Sequence, residues 1–498
     1  MRTLGIHAGH DAGVAVAEDG KIIFAMEEER VTGIKKVYGF PARSLLYCLQ
    51  YLGCNNRDFD KVIFGQKNNS FNRSSALVAY EQCYFYEDST FADHHYAHAI
   101  SAYAWSGWDE CLVMTLDGGG DSNFGSIYEA KDGVLTLVDT LSHIDYYPFG
   151  LLYNNVTEIG GFTPNKHEGK IMGLAAHGTD LGMFEGLFWV DGTQIKANSR
   201  GGTYGVENYI VHERILEWQK EHGDIEISDL SASCQGTFEK VIVEWIRTNA
   251  KGRKLAVAGG SFANVLANMK IAKEVEALWV CPAMFDNGLA IGAALSGFDK
   301  ITTYRPADMY FGIPQDPTPE NTYSPKEVAE MIDQGKIVGL FQGGMEYGPR
   351  ALGNRTILAD ARNPEINTEL NKRLSRSEFM PFAPVILEEF AADILEDYQS
   401  GIDNAPFMTC CWSVKEEWRD KIPGVVHLDG TARPQVIKRD VNPFYYDIVS
   451  EFYKQTGVPV VVNTSLNEHE APILCFLEEA VWALLSGRID VLVEGPKQ

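Results

Sequence analysis

The sequence predicts an α/β protein: a duplicated, hairpin-led unit followed by a second α/β unit. Three observations carry this. "TLGIHAGHDAGVAVAEDGKIIFAMEEE", near the start, reads strand, small-residue turn, strand, Asp-Gly turn, strand. From Cys111 the same grammar returns in "CLVMTLDGGGDSNFGSIYEAKDGVLTLVDTL", with a Gly-rich turn at 117–121. Between residues 303 and 325, "TYRPADMYFGIPQDPTPENTYSP" holds five prolines and little periodicity, and strand and helix patterns restart after it. At 498 residues the chain exceeds what one core organises, so two or three domains are expected.

Each element follows from local pattern. Asp19-Gly20 and Asp132-Gly133 lie between apolar runs, the strongest short-range hairpin signal. "ARSLLYCLQYLG" and "LSASCQGTFEKVIVEWIRTNA" have helical periodicity. "KLAVAGGSFANVLANMKI" reads strand, Gly-Gly, helix, and "ALWVCPAMFDNGLAIGAALSGF" reads strand, Asp-containing loop, helix. Two hairpin-led α/β units with polar or Gly-rich tips are the plan of the actin-like ATPase and sugar-kinase superfamily. The expected division is 1–305 as the duplicated domain, 306–325 as a linker and 326–498 as the second α/β domain. In that last part "GVPVVVNTSLNEHEAPI" supplies a buried strand with a polar loop at its carboxyl end.

Composition narrows the function classes. Sixty-eight acidic against 43 basic residues give a net charge of −25, a field that repels nucleic acid and anionic membrane. A phosphate-bearing ligand therefore needs a local cationic pocket. No run of about 18 apolar residues occurs, and the chain starts directly in strand-like sequence, so a cytoplasmic protein is expected. Nine cysteines without a C-x-x-C pair fit reduced, mostly buried thiols. Nothing fixes the oligomeric state, and a homodimer is compatible.

"FADHHYAHAISAYAW" puts His94 and His98 one turn apart if it is helical, with His95 pointing elsewhere, a neighbour within reach of substrate. Isolated H-x-x-x-H stretches are common and mostly not ligands. Asp117, before Gly118-Gly119-Gly120, and Asp286 in "MFDNG" decide the matter, although a turn aspartate and a helix cap would explain them singly. Two His and two Asp form a mixed N/O set that suits Fe(II), Mn or Zn better than Mg or Ca.

At 117–121 and at Gly259-Gly260, read as equivalent strand ends of a duplicated fold, Gly118, Gly119, Gly259 and Gly260 could let backbone N–H groups approach a phosphate. His7, His10 and Asp11 lie on the first turn, where His10 could bind a phosphate or act as general base. "PNKHEGKIMGLAAHG" carries His167, Glu168 and Lys170 against small residues, a candidate substrate wall. "GGMEYGPRALGNRTILADAR" holds Arg350, Arg355 and Arg362 in a segment with four glycines, the local cationic site a phosphate would require. Arg433 and the loop of Asn463, Thr464, Ser465 and Asn467 could complete it, while Arg373 and Arg376 also read as a solvated helix face. The aromatic stretch 144–162 is expected mainly in the core.

Together, "GHDAGVAV", "MEEERVTGIKK", "DHHYAHAISAY", "LDGGGD", "GKIMGLAAHG", "AGGSFANVLAN" and "PAMFDNGLAIGAA" resemble the NodU/CmcH family of O-carbamoyltransferases. "FQGGMEYGPRALGNRTILADAR", "PFAP", "DGTARPQ" and "VVVNTSLN" continue that resemblance in order to the C-terminal part. It implies an actin-like (ASKHA) N-terminal domain similar to threonylcarbamoyl-adenosine synthases, then a YrdC-like C-terminal domain. The second would convert carbamoyl phosphate and ATP to carbamoyl adenylate. The first would transfer the carbamoyl group to a hydroxyl of a sugar or natural-product acceptor.

By motif, the resemblance makes His94, His98, Asp117 and Asp286 ligands of one divalent metal, Fe(II) first, with Mn or Zn as alternatives. His10, Lys170 and Glu168 become the catalytic candidates. The nucleotide site takes Gly118, Gly119, Gly259, Gly260, Asn264, Arg350, Arg355, Arg433, Asn463, Ser465 and Asn467. A basic stretch common before "PFAP" is altered here to "LSRSEFM", so one or two phosphate-contacting cations are either lost or supplied by Arg373 or Arg376. A nucleoside-type acceptor, or a nucleotide-binding regulator without turnover, are the alternative readings.

Overall fold

The computed structural model describes residues 1–66, 89–143, 146–197, 209–314, 323–376 and 379–496. Ile144 and Asp145, residues 315–322 of the expected linker, and Ser377 and Glu378 of the altered stretch lie outside these.

The first sheet contains β1 (Arg2–His7), β2 (Gly13–Glu18), β3 (Lys21–Glu27), β4 (Lys61–Phe64) and β5 (Thr90–Phe91), in the order β3-β2-β1-β4-β5. The second contains β6 (Glu110–Gly120), β7 (Asn123–Lys131) and β8 (Val134–Ser142). After a small hairpin of β9 (Phe188–Asp191) and β10 (Gln194–Ala197) it is completed by β11 (Lys254–Ala258) and β12 (Ala277–Val280). Its order is β12-β11-β6-β7-β8.

Numbered within each sheet, both run third, second, first, fourth, fifth. In both, the first three strands pair antiparallel and the last two join in parallel. Two sheets of one topology are the duplication read from the sequence, and the N-terminal part is a duplicated α/β fold. Asp19 and Gly20 (φ 49° and 81°) and Asp132 and Gly133 (φ 52° and 81°) make the same tight turn in both copies.

The helices His94–Ser106 and Asn287–Ser296 pack together between the sheets. Nearly all residues of both are buried, as expected of helices apolar on every side. The first begins at His94 because the Asp93 carboxylate caps it, accepting from the Tyr96 N–H at 3.3 Å.

The C-terminal part is a six-stranded mixed sheet of β13 (Val338–Phe341), β14 (Arg355–Asp360), β15 (Ala383–Leu387), β18 (Gln435–Ile437), β19 (Val460–Ser465) and β20 (Val491–Glu494). Its order is β18-β15-β19-β14-β13-β20, and β16 (Trp412–Ser413) with β17 (Thr431–Ala432) form a short separate pair. β19, the buried strand expected from "VPVVVNTS", is central.

The described part of the expected linker, residues 306–314, is packed through its apolar side chains. Met309 is fully buried, the Phe311 ring stacks on Trp105 (centroids 5.6 Å apart), and Arg305 lies over the Trp279 ring at 5.0 Å. Residues 304–314 therefore strap the two parts together. The parts also share hydrogen bonds: fully buried Asn404 accepts from Val280 N–H at 2.8 Å and donates to the Leu278 carbonyl at 2.9 Å, stitching the edge of β12. Asn404→Ala leaves both backbone groups buried and unpaired, and urea denaturation should show a loss of about 2–4 kcal/mol.

Among the described residues no helix is long and apolar enough to cross a membrane. The aromatic stretch expected in the core is there in its described part, with Tyr147, Phe149 and Tyr153 buried.

Candidate functional site

Four side chains from three segments converge where the two sheets meet. His94 and His98 come from the first turns of their helix, Asp117 from the irregular end of β6, and Asp286 from the N-terminus of the helix Asn287–Ser296. His94 Nε2 is 2.9 Å from Asp117 Oδ2 and 3.8 Å from Asp286 Oδ1; His98 Nε2 is 3.4 and 3.5 Å from the same two atoms. One donor atom from each residue falls within a 4.8 Å span. Asp286 sits at the N-cap position but caps nothing; its carboxylate turns to the histidines instead.

His98 Nε2 and Asp117 Oδ1 are buried and make no hydrogen bond, which a metal ligand would resolve. Two imidazoles and two carboxylates at this spacing therefore fit a divalent transition metal. Burial would raise both carboxyls, but the surrounding imidazoles hold Asp117 and Asp286 well below the usual carboxylate range.

Gly120 makes room for the cluster. A Cβ there would lie 2.3 Å from the His94 ring, closer than any side chain tolerates. Gly120→Ala should displace His94 and weaken metal binding about 10–100-fold, read by competition with a chelator, with the fold retained.

His10 borders the cluster, its Nε2 3.3 Å from Asp286 Oδ2 and its Nδ1 3.0 Å from Asp11 Oδ2. Asp286 is the main reason that its pKa is pushed up to about 9, so as it stands this imidazole holds its proton at neutral pH. His7 is buried with Nε2 3.0 Å from the His10 carbonyl, and burial pushes it down to about 4. His95 is fully buried, bonded through Nδ1 to Thr115 Oγ1 at 2.9 Å, and kept neutral by burial. The expectation that it reaches substrate is corrected; it sits 3.7 Å from Asp117 Oδ1, beneath the site.

The cluster opens into a cavity of about 620 Å³, within the size range of small-molecule sites. His10, Asp11, Asp117, Gly118, Gly119, Glu168, Gly260, Asn264 and Asp286 line it from the N-terminal part. Arg350, Arg376, Arg433, Thr464, Ser465 and Asn467 line it from the C-terminal part. This brings both sets expected from the sequence to one space.

Arg376, ambiguous in the sequence, faces the cavity and donates to Thr464 Oγ1 at 2.8 Å, to the Ser465 and Asn467 carbonyls at 3.0 Å, and to the Asn467 side chain. Arg373 instead pairs with Glu369 and Asp490 outside it.

Several expected residues are not at the cavity, among them His167, which bonds Glu470 and stacks on His469. Arg355 is fully buried, donating to the Gln342 and Asn354 carbonyls with its guanidinium 3.9 Å from the Phe341 ring centroid, because it opens β14 facing the sheet. Arg362 pairs with Asp360 and Asp333. Asn463 lies inside β19 and donates to the Ala351 carbonyl at 2.9 Å, supporting the Arg350 turn from below. Gly259 (φ 104°) serves packing, since a Cβ there would meet the Leu116 carbonyl at 2.3 Å. The Lys170 ammonium lies over the Phe162 ring at 5.6 Å rather than in the cavity.

Other lining residues carried no role in the sequence. Glu27, Glu29 and Arg30 line the cavity, as do Lys35 and Lys36, all within the quoted "MEEERVTGIKK". Glu346, 1 % exposed, accepts from the backbone N–H groups of Leu352, Asn354 and Arg355 at 2.8–3.1 Å and so shapes the turn that carries Arg350. A glutamate four residues before that arginine, in "MEYGPRALGNR", is the available sequence signal.

The family model described as Carbamoyltransferase N-terminus matches residues 2–81 and 74–295, and Carbamoyltransferase C-terminus matches residues 329–497. Nodulation protein NolNO of Sinorhizobium fredii is 31% identical over 98% of this chain and 78% of its own length. Nodulation protein U of the same species is 28% identical over 98% of this chain and 97% of its own. The protein MJ1051 of Methanocaldococcus jannaschii is 32% identical over 99% of this chain and 98% of its own.

Proposed function

The chain belongs to the carbamoyltransferase family and is a carbamoyltransferase, and from that premise we propose an ATP-dependent O-carbamoyltransferase that works in two steps within one cavity. The observation that carries this reading is the lining of that cavity, with Asp117 and Asp286 on one side and Arg350, Arg376 and Arg433 on the other.

In the first step, carbamoyl phosphate, ATP and one water give carbamoyl adenylate, phosphate and pyrophosphate. Water takes the phosphoryl group of carbamoyl phosphate, breaking its P–O bond to leave phosphate and carbamate; a carbamate oxygen then bonds to the α-phosphorus as the bond between the α- and β-phosphates breaks and pyrophosphate leaves. The three arginines offer the planar, multidentate donors that polyphosphate recognition needs, in a chain whose net charge would otherwise repel it. Residues 326–498 are read as the unit for this step, similar to a YrdC-like domain.

In the second step, an acceptor hydroxyl attacks the carbamoyl carbon; a C–O bond forms and AMP leaves with the electrons of the broken bond. Residues 1–305 are read as the unit for this step. His94, His98, Asp117 and Asp286 would hold the metal, Fe(II) first, with Mn or Zn as alternatives. Bound there, it would supply Lewis-acid stabilisation of developing oxygen charge. His10, on the cavity wall, is placed to take the hydroxyl proton once Asp286's charge is neutralised, since that charge is what holds the imidazole protonated. Gly118 and Gly119 line the cavity wall, where their backbone is read as a contact for a phosphate of the adenylate. The acceptor is a sugar or natural-product hydroxyl, small enough to enter with the adenylate.

The test is incubation with ATP, carbamoyl phosphate and Fe(II) or Mn, following pyrophosphate and carbamoyl adenylate. Both should form without any acceptor present. Folded, metal-loaded protein that yields neither would reject the reading.

A further inference from the structure

Arg30 stands at a junction between the two halves of the cavity. It follows β3 on the short helix Glu28–Thr32 and is 3 % exposed. Its Nη2 lies 2.6 Å from Glu27 Oε2 and donates to the Gly348 carbonyl at 2.6 Å; its Nη1 donates to Glu29 Oε1 at 2.7 Å. Both glutamates reach further. Glu27 Oε1 accepts from Asn287 Nδ2 at 2.7 Å, and Glu27 Oε2 accepts from the Gly348 N–H at 3.3 Å. Glu29 Oε2 accepts from the Lys36 N–H at 2.7 Å. Tyr347 Oη donates to the Asn287 carbonyl at 2.6 Å, closing the circuit.

Asn287 is the residue after Asp286, and Gly348 is two residues before Arg350. One guanidinium therefore touches the turn that presents the cavity arginine, and through Glu27 it touches the helix start that presents the cavity carboxylate. We propose that Arg30 is a positioning residue that holds the Gly348–Arg350 turn in register with Asp286 across the cavity, so that the product of the first step forms within reach of the second. This rests on the two-step reading above. The rigid fork is what the task needs: Nη1 and Nη2 reach Glu29, Glu27 and the Gly348 carbonyl from two separate nitrogens in fixed geometry, a spread that the single nitrogen of an ammonium lacks.

The experiment compares the parent with Arg30→Lys by hydrogen–deuterium exchange over residues 346–352 and by steady-state pyrophosphate release. Exchange in 346–352 should quicken by about tenfold while the helix Tyr209–His222, packed elsewhere in the N-terminal part, keeps its rate. KM for carbamoyl phosphate should rise about tenfold with kcat within about threefold, the pattern of misplaced binding groups rather than lost chemistry.

Unchanged exchange in 346–352 would overturn the proposal, as would a fall in kcat at constant KM. If Arg30→Lys does not fold, Glu27→Gln/Arg30→Met removes that pair together, leaves Glu29 with the Lys36 N–H as its partner, and is held to the same outcomes. If the parent itself releases no pyrophosphate, the two-step reading fails, while the exchange result still decides whether Arg30 holds the turn.

Discussion

Asp117→Ala should cut carbamoyl transfer by about a thousandfold or more, while carbamoyl adenylate formation stays within about threefold of the parent. Asp117 Oδ2 is the oxygen nearest both imidazoles, 2.9 Å from His94 and 3.4 Å from His98. Without it the cluster keeps one carboxylate for two buried histidines and loses the charge balance that a divalent cation requires. Metal analysis should find the variant depleted, and single-turnover assays should separate the two steps. Loss of both steps together would mean that the division of labour between the two parts is wrong.

Arg350→Ala should have the reverse effect. Metal content stays at the parent level, and adenylate formation falls about a hundredfold, the scale of one or two lost charge-assisted hydrogen bonds to a phosphate. Arg350→Lys should recover only part of this, because an ammonium keeps the charge without the planar fork. Phosphate-analogue binding measured on the folded variants distinguishes a lost contact from a collapsed turn. Glu346, which shapes that turn through three backbone bonds, is unaltered in either variant.

The architecture is legible in the sequence where local patterns repeat. The two Asp-Gly hairpins and the two strand–turn–helix segments expose the duplication before any coordinates do, and the sheets then share one topology. The juxtaposition of His94, His98, Asp117 and Asp286 is legible for the same reason. A duplicated fold brings equivalent strand ends together, so residues nearly two hundred positions apart can be placed at one junction.

What stays hidden is the direction in which a polar residue turns. Arg350 and Arg355 lie five residues apart in one Gly-rich segment and read alike, yet one lines the cavity and the other satisfies carbonyls within the sheet. Arg373 and Arg376 likewise differ only after Leu374 ends the helix and Ser375 takes a positive φ of 53°. Nothing local marks the acidic run "MEEER" as buried. Its burial depends on Gly348 and Asn287, partners far away in the chain that no local pattern names.

Both sets of residues line one cavity within one chain, so the account requires the adenylate to pass from arginines to metal site without leaving the molecule. Mixing Asp117→Ala with Arg350→Ala tests this directly. On an acceptor hydroxyl identified with the parent enzyme, each variant alone should fail in transfer, and the equimolar mixture should fail as completely as either one. Restoration of transfer by the mixture to near the parent rate would show that the adenylate travels through solvent, and would contradict a shared cavity as the working site.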